Sequence, residues 1–464
     1  MIRAMETDMT ATALIAERPP RSRRPLAAPA LVEVEEPGTG RRVGAVPDAT
    51  ASDCAAALGA AHRAFPAWAA TPPRQRARVL RRAADRLLDD AERVALALAL
   101  ESGKPLAEAR DEVAFAADYL EWSAAEALRI SGRVDEHPDG GCDPARGVGP
   151  ALAAGCTPVL RASDAAPLSA LALAEALAAS GLPDGCLSVV VSSDPAATDP
   201  LLADPRLRKL TFTGSARVGA HLLRLSAGRA LRVTAELGGN APALVFADAD
   251  LDAAADAVAA AKCRNGGQAC TAVNRIYVER PVAGRFATLL AQRMAALRPG
   301  HCTDPGADIG PMISAGAVAR LARLVDDALA RGARALLPGG PLPGPGHFFA
   351  PVVLTGVPAA ARVMREEIFG PVAPVAAFDS EPEAIALANG TDAGLAAYVM
   401  TADRARAVRV AGALEAGMVG VNTGRVSCAA APFGGVKGSG FGRSGGREGI
   451  DEYLETSYTA IAEA

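Results

Sequence analysis

The sequence is poor in aromatic residues and carries no strong excess of charge. Only 4% of its 464 residues are aromatic, 22% are charged and 50% are apolar, and the formal net charge is −4. A chain without an excess of basic residues lacks the surface that nucleic-acid binding requires. This composition instead predicts a soluble globular protein, long enough for two or three compact units.

Cysteine pairs, metal-ligand spacings and a targeting segment are also missing. None of the eight cysteines forms a Cys-x-x-Cys pair, which predicts a reducing compartment and no disulfide framework. The five histidines lack the spacing of metal ligands, so we expect no metal site. Residues 1–28 contain no apolar stretch of the signal-peptide type. We interpret them as the disordered tail of a cytoplasmic protein without membrane contact.

Helical and alternating patterns divide the rest of the chain. From residue 73 to residue 128 apolar positions recur at helical spacing, which predicts a run of helices. A further apolar helix is expected at 149–155. Strands and helices then alternate from residue 157, and a second alternating block begins at residue 243. This alternation predicts an α/β fold with parallel, doubly wound sheets in two domains.

Two short segments carry the chemistry. Cys270 ends the run Arg-Asn-Gly-Gly-Gln-Ala-Cys, and Glu236 lies upstream in Thr-Ala-Glu-Leu-Gly-Gly-Asn. A thiol on a glycine-rich turn can approach a carbonyl without crowding, and a carboxylate can deprotonate the thiol or a later water. Alternatively, Cys270 is a small buried apolar residue and Glu236 an ordinary surface carboxylate. The combination of the two segments favours a covalent route through a thioester.

These segments resemble the nucleophile and general-base segments of the aldehyde dehydrogenase superfamily, and most closely its succinate-semialdehyde dehydrogenase branch. The resemblance runs from about Val32 to Tyr458. It implies a disordered tail at 1–28, a doubly wound dinucleotide-binding domain at 29–237, an α/β catalytic domain at 238–444 and an oligomerisation strand within 445–464. In the family such a strand, here expected at 453–461, pairs with a neighbouring subunit, which implies a homodimer or homotetramer.

The resemblance also implies a dinucleotide site. Gly214 and Ser215 stand where a strand opens into a helix, whose N-terminal N–H groups can accept a pyrophosphate. Leu237 follows the proposed base and belongs to the same implied site. Glu367 would accept hydrogen bonds from the nicotinamide ribose, and Phe369 would pack beside the ring. The alternative for these last two residues is a helix end terminated by Gly-Pro.

The choice between NAD and NADP depends on the segment Arg161-Ala-Ser163-Asp164. The carboxylate of Asp164 can hold a ribose hydroxyl pair and would repel a 2′-phosphate, whereas Arg161 would favour that phosphate. We predict NAD, with NADP as the alternative.

Three positions match those where succinate-semialdehyde dehydrogenases hold the distal carboxylate of their small aldehyde substrate: Arg146, Arg264 and Ser427. Two guanidinium groups and a hydroxyl can bind one carboxylate through charge-assisted hydrogen bonds. Each arginine taken alone is more often a surface charge, and a dehydrogenase for another aldehyde is the alternative.

The chain departs from the family pattern between about residues 140 and 146. The family has here an edge hairpin, an apolar strand and a Pro-Trp-Asn turn whose asparagine helps form the oxyanion hole. The region 130–147 is too short for that connection by roughly twenty residues. Neither Trp68 nor Trp122 precedes an asparagine. Loss of one oxyanion donor costs about 10²–10³ in rate, so a catalytically impaired paralogue that still binds nucleotide is a further alternative.

Overall fold

The computed structural model describes residues 30–130 and 145–457. The predicted tail at 1–28 lies outside these ranges, as does most of the shortened connection. The described chain begins with an antiparallel hairpin of β1 (Leu31–Glu35) and β2 (Arg42–Pro47). In this hairpin Val32, Val34 and Val46 are buried while their neighbours face outward, the alternation expected of a sheet with one covered face.

The predicted run of helices is present and packs into one apolar core. Its members are α1 (Ala51–Ala70), α2 (Pro73–Asp89), α3 (Ala91–Ser102), α4 (Leu106–Ala127) and α5 (Ala145–Ala154). The first helix starts with a capping box in which Thr50 and Asp53 exchange hydrogen bonds. Leu80, Leu120 and Leu152 are fully buried and join α2, α4 and α5. The expected helix at 149–155 is already formed at Ala145.

Two small sheets follow in the first of the two predicted α/β units. The first pairs β3 (Val159–Arg161) with β4 (Ser188–Val190) in parallel. The second contains β5 (Lys209–Thr213) parallel to β6 (Arg232–Glu236), with β18 (Gly440–Phe441) antiparallel to β6. The intervening helices are α6 (Leu168–Ala179), α7 (Asp199–Ala203) and α8 (Ala216–Ala227).

The prediction of parallel strands in an α/β domain is confirmed, and among the described residues the parallel strands of this domain lie in two separate small sheets. Most of the side chains of β3 and β5 are only half-buried or exposed. A strand between two neighbours in an α/β sheet is normally covered on both faces. The physical reason for the division lies in the sequence, because the shortened connection has too few residues for the apolar strand that the family carries there.

The second α/β unit contains a buried sheet of seven strands in the order β16-β15-β7-β8-β13-β12-β9, parallel except for β9. Its strands are β7 (Ala241–Val245), β8 (Val273–Glu279), β9 (Arg334–Leu337), β12 (Val352–Thr355), β13 (Val372–Phe378), β15 (Ala396–Met400) and β16 (Met418–Val421). Its helices are α9 (Leu251–Cys263), α10 (Arg280–Ala295), α11 (Ala315–Ala330), α12 (Glu381–Asn389) and α13 (Arg404–Ala413). All five side chains of β7 and of β15 are buried, as an apolar parallel strand requires.

Short elements complete the structure. They are β10 (Gly340–Pro341), β11 (Phe349–Ala350), β14 (Ala393–Gly394), β17 (Val436–Lys437), α14 (Glu448–Asp451) and 3-10 turns at Arg264–Gly267 and Arg362–Met364. In the described part of the predicted oligomerisation strand, residues 453–457 form a turn and irregular chain, and residues 458–461 lie outside the description. Among the helices described, none combines the length and the apolarity needed to cross a membrane.

Candidate active site

The loop that carries Cys270 is built from consecutive left-handed residues. Helix α9 ends at Cys263, and the chain reverses through Asn265 at φ 52°, Gly266 at φ 63° and Gly267 at φ 77°. Such angles suit glycine, which has no Cβ to collide with the backbone. A Cβ on Gly267 would lie 2.5 Å from the carbonyl atoms of Gly370. The glycine-rich sequence therefore permits a tight reversal directly against another backbone segment.

Polar contacts fix this loop from both sides. The backbone N–H of Asn265 donates to Glu108 Oε2 at 2.7 Å. The side chain of Gln268 donates from Nε2 to the Asn265 carbonyl at 3.1 Å and accepts from the N–H of Ile313 at 2.8 Å. The nucleophile loop is thus tied to helix α4 and to the segment before α11, which orients the thiol without a contact to the sulfur itself.

Cys270 lies among four charged side chains. Burial raises the pKa of its thiol, and the negative charges of Glu236 and Glu367 raise it further. The positive charges of Arg146 and Arg264 oppose this effect and lower the thiol pKa. Because burial is the largest influence, the thiol is protonated at neutral pH in this state, and a group that accepts its proton is needed for attack.

Glu236, the predicted base, is the last residue of β6 and is buried. Its Oε2 accepts a hydrogen bond from Arg146 Nη1 at 3.2 Å, and its Oε1 accepts a short one from the Ser444 hydroxyl. Both carboxylate oxygens are therefore engaged, one in an ion pair with an arginine and the other by a hydroxyl group. The base is held in place but not presented freely to water.

Arg146 connects the base to the predicted substrate site. Its guanidinium lies over the ring of Phe433 at 3.7 Å and within 5.5 Å of the ring centre of Tyr119. Its Nη2 donates to Ser427 Oγ at 3.4 Å. Two aromatic rings and a carboxylate stabilise a positive charge in this buried position. The structure thus brings Arg146 together with Ser427 and Glu236.

Arg264 lies nearby but faces a different partner. Its Nη2 donates to Thr271 Oγ1 at 3.4 Å. Its positive charge still lowers the pKa of the Cys270 thiol, which places it close to the reacting sulfur. The structure gives no direct contact between Arg264 and the Arg146–Ser427 pair.

The predicted pyrophosphate site has the expected local structure. Ser215 precedes α8 and accepts a hydrogen bond from Val218 N at 3.4 Å. The N–H of Gly214 donates to the carbonyl of Glu236 at 3.0 Å. A Cβ at Gly219 would lie 2.4 Å from the side chain of Leu237, so the first turn of α8 packs tightly on that residue. The N-terminus of this twelve-residue helix offers backbone donors that fit a dinucleotide phosphate.

The residues predicted to choose between NAD and NADP lie at the exposed end of β3. Arg161 Nη2 donates to the Ser192 carbonyl at 3.0 Å. Ser163 Oγ and Asp164 Oδ1 both accept from the N–H of Ala165, at 3.3 and 3.1 Å. The carboxylate and the hydroxyl remain accessible, and this donor and acceptor set fits a ribose hydroxyl pair.

Glu367 and Phe369 lie on the opposite side of the predicted site. Glu367 Oε1 accepts from the N–H of Gly239 at 3.0 Å, and a Cβ on Gly238 would lie 2.5 Å from its Oε2. Burial raises the pKa of this carboxyl group. Phe369 is 37% exposed and has a positive φ of 48°. An accessible ring beside a carboxylate fits the predicted contacts with a nicotinamide ribose.

Comparison with known proteins decides the family. The sequence model described as the aldehyde dehydrogenase family matches residues 27–142 and 142–459. The chain belongs to the aldehyde dehydrogenase family. The two matched stretches of this aldehyde dehydrogenase meet at residue 142, which lies inside the region where the sequence predicts a missing segment.

The family relatives are similar along nearly the whole chain. A succinate-semialdehyde dehydrogenase of Paenarthrobacter nicotinovorans is 47% identical over 439 residues, which cover 89% of this chain and 98% of that protein. The NADP(+) succinate-semialdehyde dehydrogenase GabD of Escherichia coli (strain K12) is 43% identical and covers 93% and 94%. The crystal structure of succinate-semialdehyde dehydrogenase from Burkholderia pseudomallei superimposes with a TM-score of 0.87 at 44% identity, covering 91% and 93%.

Sequence reasoning missed three residues of this aldehyde dehydrogenase site. Ser444 binds the base, and Phe433 and Tyr119 surround the Arg146 guanidinium. Phe433 stands in the string Pro-Phe-Gly-Gly, which by itself does not indicate a contact with an arginine. Tyr119 lies on α4, where its helical spacing indicated only a core residue. No local signal marks Ser444, because only the pairing of β18 with β6 brings it to Glu236.

Proposed function

We propose that this aldehyde dehydrogenase oxidises succinate semialdehyde, or an aldehyde with a similarly placed carboxylate, to the corresponding acid. One observation carries the proposal: Arg146 joins Glu236 to Ser427 in a buried position where its charge also acts on Cys270. A buried arginine beside a hydroxyl group binds a carboxylate well. The names of the relatives support the same substrate class.

The proposed reaction starts at Cys270. Its sulfur forms a bond with the aldehyde carbon, the thiol proton passes to Glu236 or to solvent, and the carbonyl oxygen takes up negative charge. Held at its nicotinamide ribose by Glu367 and Phe369, NAD(P)⁺ would supply the acceptor for the hydride that leaves that carbon. Glu236 then removes a proton from the water that attacks the thioester, and the carbon–sulfur bond breaks to release the acid and the thiol.

The pairing of Arg146 with Glu236 gives the substrate carboxylate a second effect. A carboxylate that binds Arg146 and Ser427 competes with Glu236 Oε2 for the same guanidinium. A substrate carboxylate that takes up this guanidinium leaves Glu236 Oε2 accessible to the attacking water. In this proposal the distal carboxylate both orients the substrate and frees the base.

The cofactor proposal rests on three groups of residues. Gly214, Ser215 and Leu237 would hold the pyrophosphate end, and Glu367 with Phe369 would hold the nicotinamide ribose. Arg161, Ser163 and Asp164 would contact the adenosine ribose. The preference for NAD stays a prediction, and the NADP(+) named for the Escherichia coli relative belongs to that protein. The ratio of specificity constants with NAD and NADP tests it.

The substrate assignment is tested with Arg146→Gln. We expect its specificity constant for succinate semialdehyde to fall by roughly 2–3 kcal/mol, or about 30- to 150-fold, because a charge-assisted contact is lost. For butanal, which has the same carbon chain without the carboxylate, we expect a much smaller change. Steady-state rates of cofactor reduction measure both constants.

Two further variants sharpen this test. Arg425 is an exposed arginine two residues from Ser427, so Arg425→Ala is the matched control and leaves both substrates unaffected. Arg264→Ala reports whether the second predicted arginine also contacts the carboxylate. Equal losses on succinate semialdehyde and butanal in Arg146→Gln would remove the carboxylate assignment and leave a general aldehyde dehydrogenase.

The missing oxyanion segment favours a slow enzyme, and a catalytically inactive paralogue that binds nucleotide is the second candidate. Stabilisation by NAD without turnover of either aldehyde would favour that candidate. We also propose a cytoplasmic homodimer or homotetramer by analogy with the family. Light scattering of the purified chain tests the oligomeric state.

A further inference from the structure

Three metal-ligating side chains meet far from the aldehyde site. Glu36 lies in the turn between β1 and β2, and His301 and Cys302 lie in the loop between α10 and α11. One ligand atom from each of these residues lies within 4.8 Å of the other two. Glu36 and Cys302 are almost completely buried, and His301 is 28% exposed. Glu36 and His301 are 265 residues apart in the sequence and are brought together by the fold. This separation explains why the spacing of residues in the sequence did not predict a metal site.

The facing atoms of Glu36 and His301 need a hydrogen or a metal ion between them. Glu36 Oε1 and His301 Nε2 are in direct contact, yet both are buried atoms without a hydrogen bond of acceptable geometry. A carboxylate oxygen presents only lone pairs, so the contact is favourable only when Nε2 carries a hydrogen or when a metal ion lies between the two atoms. Without either, the two buried polar atoms are costly.

The position of Cys302 favours a metal ion over a hydrogen between Glu36 and His301. A proton alone would satisfy Glu36 and His301, but the Cys302 sulfur also lies 3.9 Å from His301 Nδ1 in an otherwise apolar environment. Carboxylate, imidazole and thiolate together form a ligand set that zinc prefers. Ligand atoms on one zinc ion are separated by roughly 3–4 Å, given metal–ligand bonds of about 2.0–2.3 Å.

The surroundings of the cluster match those of a metal site. Thr39 Oγ1 donates to Glu36 Oε2 at 2.5 Å, and Thr303 Oγ1 lies 2.9 Å from His301 Nδ1. Hydroxyl partners of this kind orient ligands and are common around bound metals. Rotation of the imidazole exchanges which of its two nitrogens faces the carboxylate and which the hydroxyl.

We propose that Glu36, His301 and Cys302 bind one zinc ion with a structural role. The segments that carry these residues also approach each other through backbone hydrogen bonds. The N–H of Leu106, at the start of α4, donates to the Cys302 carbonyl at 3.0 Å, and the N–H of His347 donates to the Pro37 carbonyl at 3.0 Å. Zinc would therefore tie the N-terminal hairpin to the loop before α11, next to the junction with the helical layer. This function is independent of the proposed aldehyde oxidation.

The test measures zinc and cobalt binding by the full-length chain. We expect one zinc ion per chain after dialysis against zinc-free buffer, measured by plasma mass spectrometry, and an increase in the melting temperature on zinc addition. Cobalt(II) in place of zinc should give the near-ultraviolet charge-transfer band that requires a thiolate ligand.

Two serine variants test whether Cys302 is a metal ligand. In Cys302→Ser we expect the cobalt band to vanish and zinc affinity to fall by more than about tenfold. Cys54→Ser is the matched control, because Cys54 is an equally buried free cysteine outside the cluster and its loss leaves both signals unchanged. Glu36→Gln keeps the shape of the carboxylate and should weaken zinc binding without removing the cobalt band.

Three results would overturn the proposal. The first is a native chain that neither retains zinc nor gains stability from it. The second is a cobalt band that persists in Cys302→Ser but disappears in Cys270→Ser, which would locate the metal at the active-site thiol. The third is a Glu36→Gln variant with native zinc affinity. Thermal melts of each variant without metal show that loss of binding is not loss of folding.

Discussion

At the scale of single residues, the active site balances opposite charges around one sulfur. Arg146 interacts with three side chains. It forms an ion pair with Glu236, donates a hydrogen bond to Ser427 and lowers the pKa of the Cys270 thiol. Glu236 acts on the same thiol in the opposite direction. The resting state therefore keeps the nucleophile protonated, and attack requires a group that accepts its proton.

The charge of Glu236 can be tested at the thiol. Its negative charge raises the pKa of Cys270, so Glu236→Gln should lower that pKa and accelerate alkylation by iodoacetamide at a fixed, mildly alkaline pH. The rate rises about tenfold if the thiol pKa falls by about one. Peptide mapping confirms that Cys270 carries the label.

Glu367→Gln is the matched variant for this prediction. It makes the same change of charge, but Glu367 raises the thiol pKa less than Glu236 does, so the acceleration should be smaller. Slower alkylation in Glu236→Gln would contradict the electrostatic account and would show that Glu236 accepts the thiol proton in the resting enzyme.

A second residue controls the pH dependence of stability. Glu101 is fully buried and accepts hydrogen bonds from the N–H groups of Leu168 and Ser169. Burial outweighs these bonds and raises its pKa from 4.5 to about 7. In the folded protein the carboxyl group therefore keeps its proton at pH values where the unfolded chain has already lost it.

The sign of the effect follows from proton binding. Between pH 4.5 and about 7 the folded state binds more protons at Glu101 than the unfolded state, so the free energy of unfolding falls as the pH rises. The full displacement of the pKa corresponds to roughly 3 kcal/mol. We expect Glu101→Gln to remove this decline in urea unfolding measured across that range. Glu121→Gln, an exposed carboxylate on α4, should retain it, and equal slopes in both variants would contradict the prediction.

Residue-scale prediction from the sequence is possible where a motif is local. The sequences around Cys270 and Glu236 indicate the chemistry, because their glycines mark a reversal of the chain direction that few other residues permit. Ser444 and Glu36 could not be found in this way, since their partners are more than 200 residues distant in the sequence. Only the pairing of β18 with β6, and the meeting of the hairpin with the loop before α11, create those contacts.

At the scale of elements, a comparison of two glycines shows where glycine is required and where another residue can replace it. Gly267 has φ 77° and no room for a Cβ, whereas Gly284 lies on the exposed face of α10 with no atom near its Cβ position. We expect Gly284→Ala to stabilise the protein by about 0.5–1 kcal/mol, because it removes chain entropy from the unfolded state. Gly267→Ala should destabilise it by more than about 1–2 kcal/mol and displace Cys270.

Urea unfolding measures both changes in stability, provided that the unfolding free energy depends on urea concentration in the same way in each variant. Alkylation of Cys270 reports the position of the loop. Destabilisation by Gly284→Ala, or unchanged stability and thiol reactivity in Gly267→Ala, would contradict this prediction.

Helices were predicted better than sheets, for a physical reason. The apolar spacing of α2 and α4 is a property of the local sequence, because one face of a helix meets the core. Strand pairing depends on neighbours that are distant in the chain. The patterns at β3 and β5 correctly indicated strands, but not that these two strands belong to separate sheets.

At the scale of the whole molecule, the shortened connection is expected to limit both turnover and stability. Insertion of the missing strand and Trp-Asn turn, about twenty residues placed between 140 and 146, should raise the rate at least a hundredfold. It should also raise the melting temperature, because a parallel sheet buries backbone groups that otherwise lack partners. Rates of cofactor reduction and thermal melts with and without NAD measure the two effects.

The same insertion with alanine in place of the asparagine is the control. It should regain stability but not the full rate. High activity in the chain without insertion would show that another group stabilises the oxyanion and that the account of the shortened connection is wrong.

The separation of the first α/β unit into two small sheets also sets the order in which parts of the protein unfold locally. Backbone amides in β7 and β15 are buried within seven strands, and their hydrogen exchange requires nearly global unfolding. Amides in β3 and β5 have few buried neighbours and exchange through smaller openings. The two halves therefore do not unfold as one cooperative unit, and a nucleotide held at the start of α8 would slow exchange in β5 while leaving β7 unchanged.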